Sequence, residues 1–437
     1  MFGRSEQINC LNQNYNSDKS NLTILYGCHG IGKTRLLNEF LADKNYFYHE
    51  AVAGDGFEQI NNMAKSVNAG CNDYSGIFNK IYDSGVNLFV IEEFHLLIKG
   101  KNGFFEVLSD ILKRDKKVMV ILSCSSISWV ENSMVKTIGR NALLINSFIK
   151  LKELNYSDLV NWFPKVDSDT LLKVYGITGG NPLYLSRWNQ ELSVKDNVCR
   201  LFLDKDGVFF KEALNYVRDE FRETGVYNTI LSCLAGGKNK LNEIHEYTGY
   251  GRDKISVYLK NLIAREIVEK VFSYDFFGNE NTKKGLYRIK DAFLEFWYRY
   301  IYPSYGVLNV TEPEVFYDRY IEGVIEPFME KAFIKIAGEF IDIMNEMGRL
   351  PFSVTKKGGW HGKNGNIHLI YEDEQGRGIV AQVYVKKEPV SFEDFIELKG
   401  NVALAGINAE HYYLFSTAGF LSTLNMDNVE TIDIKDL

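Results

Sequence analysis

The chain has 437 residues, a net charge of −7 at pH 7, and a composition that is 45% hydrophobic and 24% charged. A chain of this length and composition is expected to form two or three globular domains with large cores. No run of apolar residues approaches the ~18 that cross a membrane. The first ten residues, MFGRSEQINC, lack the apolar core of a signal peptide, so we expect a cytoplasmic protein with no membrane partner.

The six cysteines form no C-x-x-C pair. They are scattered along the chain as Cys10, Cys28, Cys71, Cys124, Cys199 and Cys233. This pattern favours reduced thiols over a disulfide framework or a zinc site.

Up to about residue 150, strand-like and helix-like segments alternate, which predicts an α/β domain with a parallel sheet. The predicted strands are residues 22–26, 46–52, 87–92, 118–123 and 148–151. The predicted helices between them include residues 57–67, 75–83 and 104–113.

A glycine-rich loop follows the first predicted strand. Its sequence, GCHGIGKT, fits G-x-x-x-x-G-K-[ST] at every fixed position, and helix-forming residues come next. Strand, loop and helix in this order are the context in which the motif binds phosphate, through backbone N–H groups and the helix dipole. The predicted nucleotide-binding residues are Gly27, Cys28, His29, Gly30, Ile31, Gly32, Lys33, Thr34 and Arg35.

Two side chains of the loop have specific predicted roles. Lys33 is expected to reach the β- and γ-phosphates of ATP, and the Thr34 hydroxyl is expected to bind Mg²⁺. Cys28 and His29 occupy free positions of the motif. For both residues, a position in the loop without a specific role is favoured over a catalytic or redox role.

Two carboxylates end the strand predicted at residues 87–92. Beside a phosphate-binding loop, the first acid, Glu92, is expected to hold the Mg²⁺ hydration shell, and the second, Glu93, to polarise the attacking water. Glutamate stands at position 92 where aspartate is usual. Its extra methylene is expected to loosen the Mg²⁺ geometry and to slow turnover.

Two further features have two interpretations each. The strand at residues 118–123 leads into hydroxyl groups that include Ser125 and Ser126, which either sense the γ-phosphate and orient water or cap the following helix. Arg140 follows Gly139 in a predicted turn. It is either an arginine finger that acts on a neighbouring subunit's nucleotide or a surface residue.

The middle of the chain is mostly helical. Between residues 155 and 222 the pattern is interrupted by Gly179-Gly180-Asn181-Pro182, which predicts a turn with proline at the start of a new helix. Residues 225–302 predict a winged helix-turn-helix. Its predicted elements are helices at 227–234, 241–247 and 252–268 and a hairpin with a polar tip at 278–285.

The last third of the chain is acidic, with 12 Lys and Arg against 21 Asp and Glu after residue 306. Residues 221–306 carry 13 Lys and Arg against 10 Asp and Glu. Since DNA is a polyanion, we expect any contact with double-stranded DNA in the middle, at residues 252–285. The tail predicts helices from about residue 314 and strands at 365–371, 379–385 and 412–415.

In combination these features resemble the archaeal-type P-loop ATPases of the AAA+/STAND assemblage, over most of the chain. The resemblance implies an α/β P-loop NTPase with a parallel sheet (residues 1–152), a helical lid (153–222), a winged helix-turn-helix (223–306) and a C-terminal α/β restriction-endonuclease-like domain (307–437). It also implies that Arg4 lies near the adenine. For Arg140, it favours the role of an arginine finger over that of a surface residue. The resemblance rests on Phe2-Gly3-Arg4, Glu6, Gly27–Thr34, Glu92-Glu93-Phe94, Ser125-Ser126, Gly139-Arg140, residues 179–185 and residues 287–300.

The C-terminal domain departs from the family that it resembles. A nuclease of this type needs an acidic residue on one strand and an E-x-K-like pair on the next, to hold Mg²⁺ and activate water. The corresponding positions here carry Asn366, His368, Gln382 and Tyr384, which offer a hard cation no carboxylate. We therefore expect a nuclease-like fold without nuclease activity, which serves as an interaction or regulatory module.

Three functions follow as hypotheses. The first is an ATP- and Mg²⁺-dependent switch that hydrolyses slowly, assembles into nucleotide-dependent homo-oligomers, and couples ATP or ADP to DNA or to an unknown protein partner. The second is a DNA-binding regulator with a structural nucleotide, and the third, disfavoured by the missing carboxylates, is an active nuclease. Protein contacts are the alternative to DNA for the winged helix. Its candidate phosphate contacts are Arg252, Lys254, Lys260, Arg265, Lys270, Lys283 and Lys284.

Overall fold

The computed structural model describes residues 3–68, 70–98, 103–274, 285–363 and 365–437. The chain divides into two compact units. The first unit comprises Met1–Glu153 with Asn181–Leu183, and the second comprises Leu154–Gly180 with Tyr184–Leu437. All six cysteines lie in the described ranges and are free thiols, as the sequence predicts. Within these ranges, every helix is too short or too polar to span a membrane.

The first unit contains a five-stranded parallel sheet. Its strands are β1 (Asn21–Tyr26), β2 (Phe47–Glu50), β3 (Leu88–Glu92), β4 (Met119–Cys124) and β5 (Ser147–Lys150). Its helices are α1 (Ser5–Asn16), α2 (Lys33–Leu41), α3 (Gly56–Ser66), α4 (Tyr74–Asp83), α5 (Phe104–Leu112), α6 (Ile127–Asn132) and α7 (Met134–Ile138). All five strands and the three helices predicted for this region are confirmed.

The sheet order is β2-β3-β4-β1-β5, and every residue of β1, β3 and β4 is buried. Successive residues of β1 point to opposite faces, and Ile24 and Leu25 accordingly belong to two separate core clusters. A central parallel strand that is covered on both faces needs a continuous apolar run, which is what the sequence supplies. The carboxyl ends of β1, β3 and β4 meet at one edge of the sheet, where the predicted site residues lie.

The chain after residue 153 adds most of the helices and a second sheet. Its helices are α8 (Tyr156–Trp162), α9 (Ser168–Thr178), α10 (Pro182–Leu185), α11 (Val194–Val198), α12 (Glu212–Glu220), α13 (Thr224–Ala235), α14 (Leu241–Thr248), α15 (Arg252–Ala264), α16 (Ala292–Phe296), α17 (Tyr305–Leu308), α18 (Pro313–Tyr320), α19 (Glu326–Glu346) and α20 (Phe392–Ala405). Its strands are β6 (Val268–Val271), β7 (Leu286–Ile289), β8 (Lys356–His361), β9 (Asn366–Glu372), β10 (Gly378–Tyr384), β11 (Ala409–Ser416) and β12 (Val429–Asp433).

Helices α13, α14 and α15 precede an antiparallel pair formed by β6 and β7. The helix predicted over residues 252–268 is wrong at its end, because α15 stops at Ala264. Glu266 has a left-handed backbone with φ of 58°, and Val268 then pairs with Ile289 in the hairpin. The apolar residues at the end of the predicted helix therefore belong to a strand. The predicted hairpin tip falls almost entirely in residues 275–284, outside the described residues.

The C-terminal sheet has the order β12-β11-β10-β9-β8. β8, β9 and β10 pair antiparallel, whereas β10, β11 and β12 pair parallel. The three strands predicted in the tail are confirmed. β8 escaped prediction, since its sequence KKGGWH begins with two lysines and two glycines that do not favour a strand. Trp360 in β8 is buried and His361 is exposed.

Candidate nucleotide-binding site

The predicted phosphate-binding loop connects β1 to α2. Gly30 and Gly32 have φ of 77° and 96°, a left-handed conformation that glycine adopts without strain. Gly32 is the N-cap residue of α2, so the positive end of the helix faces the loop. A Cβ atom at Gly27 would lie 2.7 Å from the carbonyl oxygen of Leu151. Three of the loop's glycines are therefore required by geometry, and the loop has the form that cradles phosphate.

Lys33, the first residue of α2, is buried beneath this loop. Its Nζ donates hydrogen bonds to the carbonyl oxygens of Gly27 (2.9 Å) and Cys28 (3.1 Å). Burial lowers the pKa of the Lys33 ammonium, and the negative charge of Glu93 opposes that effect. The loop's own carbonyls thus hold the ammonium in place at the position from which a phosphate would be bound.

Glu92 ends β3, is buried, and accepts hydrogen bonds from three hydroxyl groups. Thr34 Oγ1 lies 3.0 Å and Ser123 Oγ 3.1 Å from Glu92 Oε2, and the Tyr48 hydroxyl lies 2.7 Å from Oε1. Burial and the contact with Glu92 raise the pKa of Tyr48. The two residues predicted to bind Mg²⁺, Thr34 and Glu92, therefore lie side by side. Tyr48 was missed by the sequence analysis.

Glu93 adopts a left-handed backbone with φ of 51°, which is uncommon for a residue other than glycine. This conformation turns its side chain toward the end of β4, where it accepts hydrogen bonds from the Ser125 backbone N–H (3.0 Å) and hydroxyl. Ser126, the N-cap residue of α6, makes no side-chain capping bond among the described residues. The hydroxyl that follows β4 therefore positions the second carboxylate instead of capping a helix.

Arg4 is buried and forms a hydrogen bond with the phosphate-binding loop. Its guanidinium donates to the carbonyl oxygens of Ile31 (3.2 Å) and Lys152 (2.7 Å). Through these bonds, Arg4 connects the phosphate-binding loop to the segment that follows β5. Phe2 lies outside the described residues, and an adenine contact by Arg4 stays a prediction.

The segment Asn181–Leu183 belongs to the first unit and packs directly on the loop. Asn181 Nδ2 donates to the carbonyl of His29 (3.3 Å), and the Leu183 N–H donates to the carbonyl of Gly30 (3.2 Å). The predicted turn and the proline at the start of a helix are confirmed, since α10 begins at Pro182. The chain enters this segment from α9 and continues into α10, so the turn is covalently continuous with the helices predicted as a lid.

Several of the predicted site residues, Thr34 among them, are exposed to solvent. His29, Thr34 and Arg35 are exposed, and Cys28 is half-buried. Arg140 is exposed on a short 3₁₀ helix, Gly139–Leu144. This position agrees with a side chain that reaches outward, which both interpretations of Arg140 require.

The predicted DNA-contact segment has the helix-turn-helix spacing. α14 and α15 are joined by three residues, of which Gly249 is left-handed with φ of 70°. On α15, the side chains of Arg252, Lys254 and Lys260 are exposed. Arg265, by contrast, forms a salt bridge of 2.9 Å with Glu220. Three of the candidate cations among the described residues are thus exposed on α15, where the carboxylate of Asp253 is also exposed.

Three of the positions that the sequence compares with a nuclease, Asn366, His368 and Gln382, are linked by hydrogen bonds in the C-terminal sheet. The His368 N–H donates to Gln382 Oε1 (3.1 Å), the Val383 N–H donates to His368 Nδ1 (3.1 Å), and Gln382 Nε2 donates to Asn366 Oδ1 (3.4 Å). Burial, with a small effect of His361, lowers the pKa of His368 to about 4. Lys386 donates to Asp394, on α20. The arrangement is a hydrogen-bonded set around a buried imidazole whose Nε2 atom lies 3.9 Å from a carboxylate oxygen of Glu330.

The parallel sheet and the phosphate-binding loop give the first unit the fold of a P-loop NTPase. The chain belongs to the same family as the uncharacterized protein MJECL04 of Methanocaldococcus jannaschii, with which it is 30% identical over 388 residues, covering 84% of this chain and 83% of that protein. Residues 297–393 match the family model described as archaea bacterial proteins of unknown function.

The fold is similar to that of a solved Walker-type ATPase of Pyrococcus abyssi, with a TM-score of 0.50 and 16% sequence identity. The match covers 68% of this chain and 96% of the Pyrococcus protein. At this level of identity the similarity concerns the fold, and the activity of this chain has to be argued from its own residues.

Proposed function

We propose that the protein is an ATP-binding switch that hydrolyses ATP slowly and couples its nucleotide state to DNA or protein binding. The observation that carries the proposal is the meeting of Lys33, Thr34, Glu92 and Glu93 at the carboxyl edge of one parallel sheet. These residues come from two strand ends that are about 60 positions apart in the sequence. Together they supply the phosphate-binding, metal-binding and base groups that phosphoryl transfer to water requires.

Each group has a distinct role in this proposal. Lys33 and the backbone N–H groups of the loop bind the β- and γ-phosphates, and the Thr34 hydroxyl with Glu92 would hold Mg²⁺. Bound Mg²⁺ supplies neutralisation of the developing phosphate charge. Glu93, held by Ser125, accepts the proton of the attacking water.

Slow turnover follows from the surroundings of Glu92. Its two oxygens already accept hydrogen bonds from Thr34, Ser123 and Tyr48. A metal or its water shell has to compete with these donors for the same lone pairs. A carboxylate that already accepts three hydrogen bonds from the protein is a weaker metal ligand than a free one, which suits a switch better than a motor.

The experiment that tests the enzyme part compares ATP binding and ATP hydrolysis in three proteins. Lys33→Ala is expected to lose both. Glu93→Gln is expected to keep binding and to lose hydrolysis by a factor on the order of 10²–10⁴. Hydrolysis that survives Glu93→Gln would show that another group is the base, and binding that survives Lys33→Ala would place the nucleotide elsewhere.

The output of the switch is proposed to pass through the turn on the loop. Asn181 and Leu183 donate hydrogen bonds to the backbone carbonyls of His29 and Gly30. The γ-phosphate would bind to the same stretch of backbone. Movement of these carbonyls on nucleotide exchange therefore changes the hydrogen bonds that hold α10 at its first turn. Arg140 is proposed to add a second readout by acting on the nucleotide of a neighbouring copy.

Double-stranded DNA is the proposed ligand of α15, because this helix carries exposed cations and belongs to the proposed winged helix-turn-helix. Lys254→Glu with Lys260→Glu is expected to weaken duplex binding and to reduce the slope of log K against log salt by about 1 per lost phosphate contact. A matched control is Lys387→Glu with Lys435→Glu, two exposed lysines of the acidic tail. Equal effects of the two double variants, or no DNA binding at all, would direct the search to protein partners.

A further inference from the structure

The proposed catalytic carboxylate, Glu93, also belongs to a group of side chains whose other two members the proposed function does not use. A carboxylate oxygen of Glu93, the Nδ1 atom of His95 and the Sγ atom of Cys124 all lie within 4.8 Å of one another. Cys124 is fully buried, whereas the side chains of Glu93 and His95 retain 21% and 22% of their exposure. The group therefore has a closed floor and an open side through which an ion could enter.

The arrangement differs from that of a nucleophilic cysteine. In a Cys–His–acid triad, the acid binds one ring nitrogen and the thiol approaches the other. Here Glu93 Oε2 and Cys124 Sγ both lie 3.4 Å from the same nitrogen, Nδ1 of His95. Burial also raises the pKa of the Cys124 thiol to about 12, opposite to what a nucleophile needs.

Two of the three separations match the edges of a tetrahedral zinc site instead. Zn–N bonds of about 2.0–2.1 Å and Zn–S bonds of about 2.3 Å at tetrahedral angles put nitrogen about 3.3 Å from oxygen and about 3.6 Å from sulfur. Both observed distances, 3.4 Å, lie within about 0.2 Å of these edges. At 3.4 Å the N···O pair is, by contrast, too long for a strong hydrogen bond.

We propose that Glu93, His95 and Cys124 form a binding site for a thiophilic divalent cation of the Zn²⁺ type. A thiolate and a carboxylate balance the charge of the ion, the imidazole supplies the third ligand, and water supplies the fourth from the open side. Mg²⁺ does not compete, since it prefers oxygen ligands and an octahedral shell. The spacing of the cysteines in the sequence does not reveal this site. Its three ligands come from two strand ends and not from a local motif.

The site would act as an inhibitory switch on hydrolysis, a consequence that rests on the proposed function. An ion on Glu93 withdraws the carboxylate from water and from Ser125, so the base is lost. Lys33 and the loop are left intact, and ATP is still bound. Zn²⁺ is therefore expected to block hydrolysis without releasing the nucleotide.

Binding is tested with Co²⁺ as a spectroscopic substitute for Zn²⁺, on the full chain without nucleotide. One Co²⁺ per chain is expected, with a thiolate-to-cobalt charge-transfer band that Zn²⁺ displaces. Cys124→Ser is expected to abolish the band, and His95→Gln, which alters a partly exposed residue, to weaken Co²⁺ binding by at least about tenfold. Cys10→Ser, a half-buried cysteine outside the group, is the matched control and should keep the band.

A band that survives Cys124→Ser, or that disappears in Cys10→Ser, would overturn the proposal, as would a wild-type chain that binds no Co²⁺ through sulfur. The spectroscopic result does not depend on ATPase activity, so the two proposals fail separately. If Co²⁺ and Zn²⁺ bind at Cys124 but hydrolysis continues, the metal site stands and the assignment of Glu93 as the base is wrong.

Discussion

The hydroxyl of Tyr48 donates a hydrogen bond of 2.7 Å to Oε1 of Glu92, across the parallel pair β2–β3. The same carboxylate accepts from Thr34 and Ser123 through its other oxygen. One buried acid thus joins the phosphate-binding loop, the neighbouring edge strand and β4. We therefore expect Glu92 to contribute both to the stability of the first unit and to the proposed binding of Mg²⁺.

Tyr48→Phe removes one of the three donors and leaves the ring in place. Because the bond is to a buried charged group, we expect the free energy of unfolding to fall by about 1.5–3 kcal/mol, with ATP binding retained. The measurement is chemical denaturation monitored by circular dichroism. Tyr46→Phe, at an exposed tyrosine two positions away, is the control and should change little. Equal stability of Tyr48→Phe and wild type would mean that the bond contributes nothing.

Gly30→Ala tests the contact between the loop and the turn. A Cβ at Gly30 would lie 2.7 Å from Leu183 Cβ, and the residue is left-handed, so the loop or the turn has to shift. We expect ATP affinity to fall by at least about tenfold, since backbone N–H groups must be placed accurately to bind phosphate. Gly103→Ala is the matched control, because Gly103 has φ of 70° with no atom within 4 Å of its Cβ position. If the two variants bind ATP with similar affinity, any loss is due to backbone strain alone and not to the contact with Leu183.

The finger role of Arg140 is tested by complementation between two inactive variants. Arg140→Ala keeps the groups of its own site, and Glu93→Gln keeps its finger, so a mixture should regain part of the hydrolysis that each has lost. We expect Arg140→Ala alone to lower turnover by at least about tenfold without changing ATP affinity. Lys136→Ala, at an exposed neighbouring position, is the control. A mixture that is no more active than its components would argue against a finger in trans.

The buried imidazole of His368 predicts a pH dependence of stability. Its pKa is lowered from 6.5 to about 4, so the unfolded chain takes up a proton below pH 6.5 that the folded chain refuses until about pH 4. Stability is therefore lost as the pH falls through this window, by about 2 kcal/mol between pH 7 and pH 5.

The measurement for His368 is the urea midpoint at pH 7 and at pH 5. His368→Asn retains an acceptor for the Val383 N–H but does not titrate, and it should lose less stability than wild type over this interval. His411→Asn, at a partly exposed histidine of β11, should behave as wild type does. The same loss in His368→Asn and wild type would show that other groups cause the pH dependence.

Much of the first unit could be predicted because its central strands are continuous apolar runs and its loop is a fixed motif. The location of Glu92 and Glu93, at the end of a predicted strand, is confirmed at the carboxyl edge of the sheet. Tyr48 escaped because its contact with Glu92 spans 44 positions and depends on the order of the strands. The group at His95 and Cys124 escaped for the same reason, since periodicity does not show which strand ends are neighbours.

The most direct test of a nucleotide-gated switch is duplex DNA binding by the wild-type chain with ADP and with a non-hydrolysable ATP analogue, over a series of salt concentrations. We predict salt-sensitive binding whose affinity differs between the two nucleotides, and loss of that difference in Lys33→Ala. Binding that is equal with both nucleotides, or no binding in either state, would contradict a nucleotide-gated DNA switch.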